Sequence, residues 1–474
     1  MSVQPPSPAG NDFRLPVHQV DATKKRVHPR FVTGFYQNIR VVSMYSLLLL
    51  FLVLPWIRYG GHQAIWFDFS GSKIVLFGLT FLPQDVFIFA FFFMVAAFLL
   101  FMVTVYAGRV WCGYACPQTI WTHMYQYTEK LIIGDRNKQF KLDKAPWNGE
   151  KIMKRGLVYL IWFIMALVTA LTFSSYAVGT DYLYHSWQWF GVIPVPDWTP
   201  LTWVSVLIFT FATFANAGYM REHFCTHICP YGRFQSVMFD KDTLIVTYDY
   251  KRGEPRGARK RGGEDENLGD CINCLMCVQV CPTGIDIRDG LQVECIQCAA
   301  CVDACNDIMD KVNKPRGLIR YSTERQLVEN EPSKILRPRF FAYLAVIALL
   351  IGTGVYFLTS RVPLQIDIRR DRNQLSSINA QGLVENNYII KITNKTQQNH
   401  DYAVTLTPQP GLKLDSRFKT IPLEAGESYD FPVSVLGDPK VITQSNIPIQ
   451  MQVVSVDDGG KYKAVKDNVF TTDK

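Results

Sequence analysis

No cysteine occurs in the last 114 residues of this 474-residue chain, so no disulfide can staple whatever folds there. No Asp, Glu, Lys or Arg interrupts the apolar runs Val41–Ile57, Val86–Tyr106, Leu157–Val178, Leu201–Tyr219 and Phe340–Leu358. Helices of soluble proteins keep a polar face, and these runs have none, which excludes five ordinary core helices. No histidine lies in them either, which argues against a haem held between histidines inside a membrane. No Cys-x-x-Cys-His stretch exists, so c-type haem is not expected. There is no Walker loop and no Gly-x-Gly-x-x-Gly after a strand, so neither nucleotide hydrolysis nor a resident flavin or NAD is indicated. The first 40 residues lack a short apolar core with a small-residue cleavage site, so the first run is read as a retained anchor.

What is present is strongly segregated, although a mean hydropathy of +0.05 hides it. The five runs are 17 to 22 residues long, the length that crosses ~30 Å of hydrocarbon. The chain is too long for one ordinary domain. Lys and Arg alternate along it: six in residues 1–40, two in the first loop, nine in 108–155, none in 179–200 and eighteen in 220–339. That alternation places the N-terminus in the cytoplasm by the positive-inside rule. The expected order is a cytoplasmic arm (1–40), four transmembrane helices (41–219), a cytoplasmic insert (220–339), a fifth helix (340–358) and a periplasmic tail (361–474). The formal charge of +8 sits mostly in the cytoplasmic parts. A solvated loop facing anionic lipid accounts for "RGARKRGG" from Arg256, and no nucleic-acid partner is expected.

The tail alternates apolar and polar residues in "NNYIIKITNKT", "DYAVTLTPQPGLKL", "SYDFPVSVLG" and "IPIQMQVVSV", with Gly, Pro and Asp between them. Several short strands over this length predict a two-sheet sandwich of immunoglobulin type. Asn394-Lys395-Thr396 fits a glycosylation triplet, to which no function is attached.

All twelve cysteines fall in spaced motifs, which fits a reducing compartment. "CINCLMCVQVCP" holds Cys271, Cys274, Cys277 and Cys281, and "CIQCAACVDAC" holds Cys295, Cys298, Cys301 and Cys305. This doubled C-x2-C-x2-C-x3-C spacing is the bacterial two-cluster ferredoxin pattern, in which the fourth cysteine of each run serves the other cluster. One [4Fe–4S] cluster is therefore expected on Cys271, Cys274, Cys277 and Cys305, and a second on Cys295, Cys298, Cys301 and Cys281, within about 262–320. Structural zinc ribbons do not need the third cysteine of each run. Asn306 stands where the pattern has proline after Cys305, and is expected to add polarity near the first cluster.

The other four cysteines make a repeated Cys-x-x-x-Cys-Pro: "RVWCGYACPQ" with Cys112 and Cys116, and "REHFCTHICPYG" with Cys225 and Cys229. Each follows an apolar run. A residue before proline avoids the helical region, and proline suits the first turn of a new helix. "PQTIWTHMYQYTEKLII" then reads as an interfacial helix with Trp121, Tyr125 and Tyr127 at headgroup level, and with His123 as an interfacial side chain. Four soft thiols at one membrane level could select Cu(I), zinc or an iron–sulfur cluster, or could pack unligated. His223 and His227 flank Cys225 and are candidates to join a metal site.

The chain resembles the cytochrome c oxidase accessory protein family called CcoG, FixG or RdxA. The resemblance rests on "WCGYACPQTIW", "REHFCTHICPYGRFQS", "YDYKRGEPRG", both ferredoxin runs, the fifth apolar run and the β tail. The paired Cys-x-x-x-Cys-Pro motifs also look like those of the NapH and NosR quinol-oxidising proteins, but the fifth run and the Ig-like tail favour the first family. The resemblance implies a cupric reductase of the bacterial inner membrane, converting Cu(II) to Cu(I) in assembly of a cbb3-type cytochrome oxidase. Cys112, Cys116, Cys225 and Cys229 match its copper-handling motifs, and assembly factors and copper chaperones or transporters are its implied partners, with the electron donor open. Two other readings are a quinol dehydrogenase subunit and a non-catalytic copper-binding assembly factor.

The charge alternation makes a direct prediction. A reporter active only in the periplasm is expected to work when fused after Lys474 and to fail when inserted near Gly263; the reverse pattern contradicts the expected orientation.

Overall fold

The computed structural model describes residues 27–472 except 60–61, 70–72, 82–84, 191–192, 259–267, 335, 361–362, 371–375, 380, 397, 417–418 and 443. Residues 1–26 of the expected arm and the 259–263 part of the basic loop lie outside the described residues. Five helices among them are long and apolar enough to cross a membrane: Phe35–Trp56, Val86–Ala107, Gly149–Val178, Pro200–Ile228 and Pro338–Thr359. The chain divides into two compact units.

One unit gathers residues 55–90, 176–180 and 353–474. Its tail is a two-sheet antiparallel sandwich. The first sheet orders Leu364–Arg370, Val384–Asn394, Ser428–Gly437 and Leu412–Ser416, with the short strand Ser377–Ile378 beside the second of these. The second sheet orders Ile421–Leu423, His400–Leu406, Asn446–Ser455 and Lys463–Thr471. Period-two alternation sends Tyr388, Ile390 and Ile392 from the first sheet inward, where they share a core with Phe431, Val433, Tyr402, Met451, Val453 and Phe470. The Tyr388 hydroxyl donates to the Val469 carbonyl at 2.7 Å, which satisfies the one polar atom this ring carries inward.

Asn394 is fully buried. Its Nδ2 donates to the carbonyls of Gln398 (2.8 Å) and Glu424 (3.1 Å), and its Oδ1 accepts from the Tyr402 hydroxyl at 3.1 Å. The triplet at Asn394 is a structural device.

The loop after the first apolar helix joins this unit. It forms the three-stranded sheet Ile65–Asp68, Lys73–Leu76 and Leu79–Phe81, which the sequence did not announce. Lys395 pairs with Asp85 at 3.2 Å, and Gln63 Oε1 accepts from the Thr180 backbone N–H at 3.1 Å. Segments of two loops expected on one side of the membrane thus meet the tail in one unit, while the rest of the loop after the third apolar helix falls in the other unit.

The other unit holds all twelve cysteines. The Cys-rich insert is framed by the antiparallel pair Ile245–Tyr248 and Ile319–Ser322 and by the helix Ala300–Lys311. Residues 27–34 of the expected arm, in contrast, are held in place. His28 is buried against Asp143 at 2.8 Å, and the Arg30 N–H donates to Gln279. Asp303 accepts from the N–H groups of Tyr36 (3.3 Å) and Gln37 (2.8 Å), satisfying the open end of the first apolar helix.

The helix Pro117–Ile133 forms as expected, but Tyr125 does not face headgroups. Its ring stacks on Trp162 with centroids 5.2 Å apart, and its hydroxyl donates to the Trp162 carbonyl at 2.9 Å. Trp121 donates to Thr169 at 2.9 Å. The helix carries polar groups on several faces, and protein supplies their partners. Gly218 is what allows the close approach, because a Cβ there would stand 3.0 Å from the Trp162 ring.

Phe431→Ala empties the centre of the sandwich and is expected to cost about 3–5 kcal/mol. The check is chemical denaturation of the full chain: the β signal should be lost earlier, with the helical transition unmoved.

Candidate metal centres

In the first cysteine run, Asn273 and Leu275 adopt left-handed conformations, φ 56° and 59°. In the second run, Gln297 and Ala299 do the same, φ 53° and 57°. The repeat is Cys-x-αL-Cys-αL-x-Cys, a winding that turns successive side chains around one centre. Each loop then enters a helix, Met276–Gln279 or Ala300–Lys311, whose first turn carries the third cysteine of its run.

The two runs exchange their fourth cysteines. One cavity is lined by Cys271, Cys274, Cys277 and Cys305, with Tyr248, Met276 and Leu318. A second is lined by Cys281, Cys295, Cys298 and Cys301, with Cys277 at its border. Burial, then repulsion from Cys277, Cys274 and Cys271, pushes the Cys305 thiol up to about 12. Cys281 is raised by burial and then by Cys298. Each fourth cysteine therefore faces the other run. Two sets of four soft donors on loops wound around a centre fit two [4Fe–4S] clusters.

Asn306, next to Cys305, is held by a hydrogen bond. Its Oδ1 accepts from the Gly317 N–H at 3.0 Å, tying the helix to the turn before the strand Ile319–Ser322.

The Cys-x-x-x-Cys-Pro motifs form by the same local logic twice. Cys116 is extended (ψ 128°) and caps Pro117–Ile133, and Cys229 is extended (ψ 112°) and caps Pro230–Met238. Their partners sit one turn earlier, Cys112 on the short helix Val110–Tyr114 and Cys225 in a π-helical turn, Phe224–Ile228. The second motif also follows a π-helical turn at Asn216–Met220, and Arg221 between them has φ 42°. π-Turns of this kind gather at functional sites.

The four thiols lie near enough to act on one another, and among the described residues no three of His, Cys, Asp and Glu converge on a single ion. Burial pushes Cys112 up to about 12, with further upward pushes from Cys116, Cys225 and Cys229 and an opposing one from Arg109. The motifs also grip each other. Cys112 Sγ donates to Gln235 Oε1 at 3.3 Å, and Gln235 lies on the helix after the second motif. In return Gln118, just past the first motif, donates to the Arg221 carbonyl at 3.3 Å. His223 and His227 pair with each other, ring centroids 5.7 Å apart, and His227 Nδ1 shares a proton with Thr226 at 2.7 Å. His123 is not interfacial: it is buried near Gln37 and pushed down to about 4 by burial and by Arg40.

The first motif lies directly on the loop of the second cysteine set. A Cβ on Gly113 would stand 2.9 Å from the Ile296 carbonyl and 3.0 Å from Cys298 Cα, so only glycine allows this approach. Tyr321 donates to the Gln297 carbonyl at 2.6 Å and lies 3.3 Å from the Tyr114 hydroxyl. Sequence reasoning also missed a buried chain of charge behind the second motif. Arg221 and Glu129 are each 1% exposed and pair at 2.9 Å; Arg155 joins Glu129 at 3.3 Å and also meets Asp143. Nothing in the local spacing of these residues marks them as partners.

Residues 220–324 match a 4Fe-4S dicluster domain, residues 88–138 a 4Fe-4S binding domain, and residues 354–473 the Ig-like fold at the C-terminus of FixG. The chain is 34% identical over 430 residues to the nitrogen fixation protein FixG of Rhizobium meliloti, covering 82% of this chain and 81% of that one. The chain belongs to the FixG/RdxA family. Protein RdxA of Cereibacter sphaeroides is 32% identical over 472 residues, covering 94% of this chain and 97% of RdxA. Protein RdxB of the same organism is 34% identical over 407 residues, covering 83% and 84%. A solved FixG-related protein from Vibrio parahaemolyticus aligns over its whole length with 24% of this chain, at 27% identity and a TM-score of 0.22. As a member of the FixG/RdxA family, the chain is a membrane iron–sulfur protein with an oxidoreductase role in electron transport.

Anaerobically prepared protein is expected to hold about eight irons per chain in these two sets. Cys298→Ser should disturb the signal of one cluster and spare the other. Stoichiometric zinc without iron contradicts the assignment.

Proposed function

We propose that the protein is a cupric reductase: Cu(II) binds at Cys112, Cys116, Cys225 and Cys229, takes one electron and leaves as Cu(I). The observation that carries this reading is the grouping of four half-buried thiols, within electrostatic reach of one another, beside the loop of the second cysteine set. When bound, the two clusters are the one-electron store that the reduction needs. Thiolate is a soft donor and prefers Cu(I) to Cu(II), which makes reduction of a bound cupric ion easier. The chain's own part is to hold the donors together. Gln235 takes the Cys112 thiol proton's hydrogen bond until metal displaces that proton, Gln118 fixes the backbone ahead of Cys225, and the Arg221–Glu129 pair anchors the start of the second motif.

In this reading the N-terminus and both cluster sets face the cytoplasm of a bacterial inner membrane, and the sandwich faces the periplasm, as the charge alternation suggests. Cu(I) would pass to copper chaperones or transporters and to assembly factors of a cbb3-type cytochrome oxidase. His223 and His227 lie side by side four residues apart, with Thr226 engaging His227 Nδ1, so their remaining ring nitrogens are the ones that would face an added copper ion.

A second reading has a specific observation behind it. Residues 88–138, which contain Cys112 and Cys116, match a 4Fe-4S binding domain, so the four thiols could hold a further cluster.

Serine replacement separates the two. Cys112→Ser with Cys116→Ser, and Cys225→Ser with Cys229→Ser, exchange soft sulfur for harder oxygen with little change in size. Each pair should keep its iron and lower Cu(II) reduction by at least about tenfold, the loss already expected for outer-shell changes at metal sites. The assay is anaerobic, with a Cu(I)-specific chelator. Unchanged copper reduction in both pairs contradicts a copper site here, and loss of iron establishes the further cluster in its place.

A further inference from the structure

Arg109 is a buried cation, 4% exposed, three residues ahead of Cys112. Its guanidinium donates to the carbonyls of Val293 and Gly232, and its backbone N–H donates to Gln297 Oε1 at 3.0 Å. Val293 and Gln297 bracket Cys295 in the second cysteine set, and Gly232 lies in the helix after the second Cys-x-x-x-Cys-Pro. Gly108, at φ 55°, leaves the space Gln297 occupies, for a Cβ there would stand 2.5 Å from Gln297 Oε1. The side chain therefore bridges both motifs and one cluster loop.

Its counter-charge is unusual. Among the described residues no carboxylate lies within ion-pair distance of it, and its Nε has no hydrogen-bond partner. An unpaired buried cation is costly unless anionic groups surround it. The groups acting on it most strongly are Cys112, then Cys295, Glu294 and Cys225. Three of these four are thiols of the proposed centres, and the strongest two belong to different centres.

We propose that Arg109 is a tuning residue that raises the reduction potential of the cluster on Cys281, Cys295, Cys298 and Cys301 above that of the cluster on Cys271, Cys274, Cys277 and Cys305. A [4Fe–4S] cluster gains one negative charge when it takes up one electron. A fixed cation in a low-dielectric setting stabilises the more negative form. The effect falls with distance, and Arg109 contacts the loop of only one of the two sets. Electrons would then collect at the cluster that packs against the Cys-x-x-x-Cys-Pro site. The inference deepens the four-thiol reading, but its test uses no copper and so fails or succeeds separately.

The experiment is an anaerobic redox titration of the full-length protein in detergent, followed by electron paramagnetic resonance. The nearer cluster is identified as the one whose signal Cys298→Ser alters. Arg109→Met is expected to lower the midpoint potential of that cluster and to leave the other in place. Arg109→Lys keeps the charge without the fork and should stay close to the parent in both. An iron-replete Arg109→Met protein with no shift overturns the proposal, as does an equal shift in both clusters. A shift in Arg109→Lys as large as in Arg109→Met assigns the effect to the hydrogen bonds and also overturns it. Should Arg109→Met lose its iron, Arg109→Lys decides: a parental potential at the nearer cluster upholds the role of charge, and a lowered one refutes it.

Discussion

Gly113 has no Cβ, and the backbone of Cys298 fills the space that one would need. This contact ties the motif after the second apolar helix to one cluster loop, and other features depend on it. Arg40 on the first apolar helix donates to the Gly113 carbonyl at 3.1 Å, fixing the glycine from the other side. The same helix begins on Asp303, in the helix that follows the cluster loop; a Cβ on Gly34 would stand 2.3 Å from the Asp303 side chain. Membrane helix, motif and cluster loop thus close a triangle in which two glycines allow contact and two charged side chains lock it. Held this way, the cysteines of the motif and of the cluster loop keep a fixed separation, which any electron exchange between them requires.

The two Cys-x-x-x-Cys-Pro copies are alike in sequence and unlike in build. The first leaves its membrane helix through a left-handed Gly108 and a short helix. The second stays continuous with its membrane helix through two π-helical turns. A π-turn shifts the helical phase, so side chains beyond it point elsewhere than an unbroken helix would send them. The buried pair Arg221–Glu129 sits at the break between the turns and stabilises a backbone conformation (φ 42°) that an isolated arginine avoids. Removing one partner of such a pair leaves a buried charge without compensation, so the pair is a strong clamp whatever its net contribution to stability.

Much of this was legible in the sequence where chemistry is local. The doubled ferredoxin spacing specified which cysteines face one another, because three closely spaced thiols can wrap one centre and the fourth must come from elsewhere. Cys-Pro marked where one helix stops and the next starts, and period-two alternation marked the sandwich. What stayed hidden was set by tertiary contact. Tyr125, His123 and residues 27–34 read as interfacial or loose, since nothing nearby in sequence shows that Trp162, Gln37 and Gln279 would receive them. Arg109 looked like one more basic residue at a helix end. Its burial follows from carbonyls more than 100 positions away.

The central claim is that the four motif cysteines form one site in electronic contact with the clusters. The most direct measurement is a single-turnover experiment on anaerobic full-length protein, reduced chemically and freed of excess reductant, then mixed with Cu(II) and a Cu(I)-specific chelator. Iron–sulfur absorbance and the Cu(I) complex are followed together. The account predicts that the clusters reoxidise in step with Cu(I) formation, one Cu(I) per electron lost. Reoxidation of the clusters without Cu(I), or Cu(I) formation while the clusters stay reduced, would contradict it.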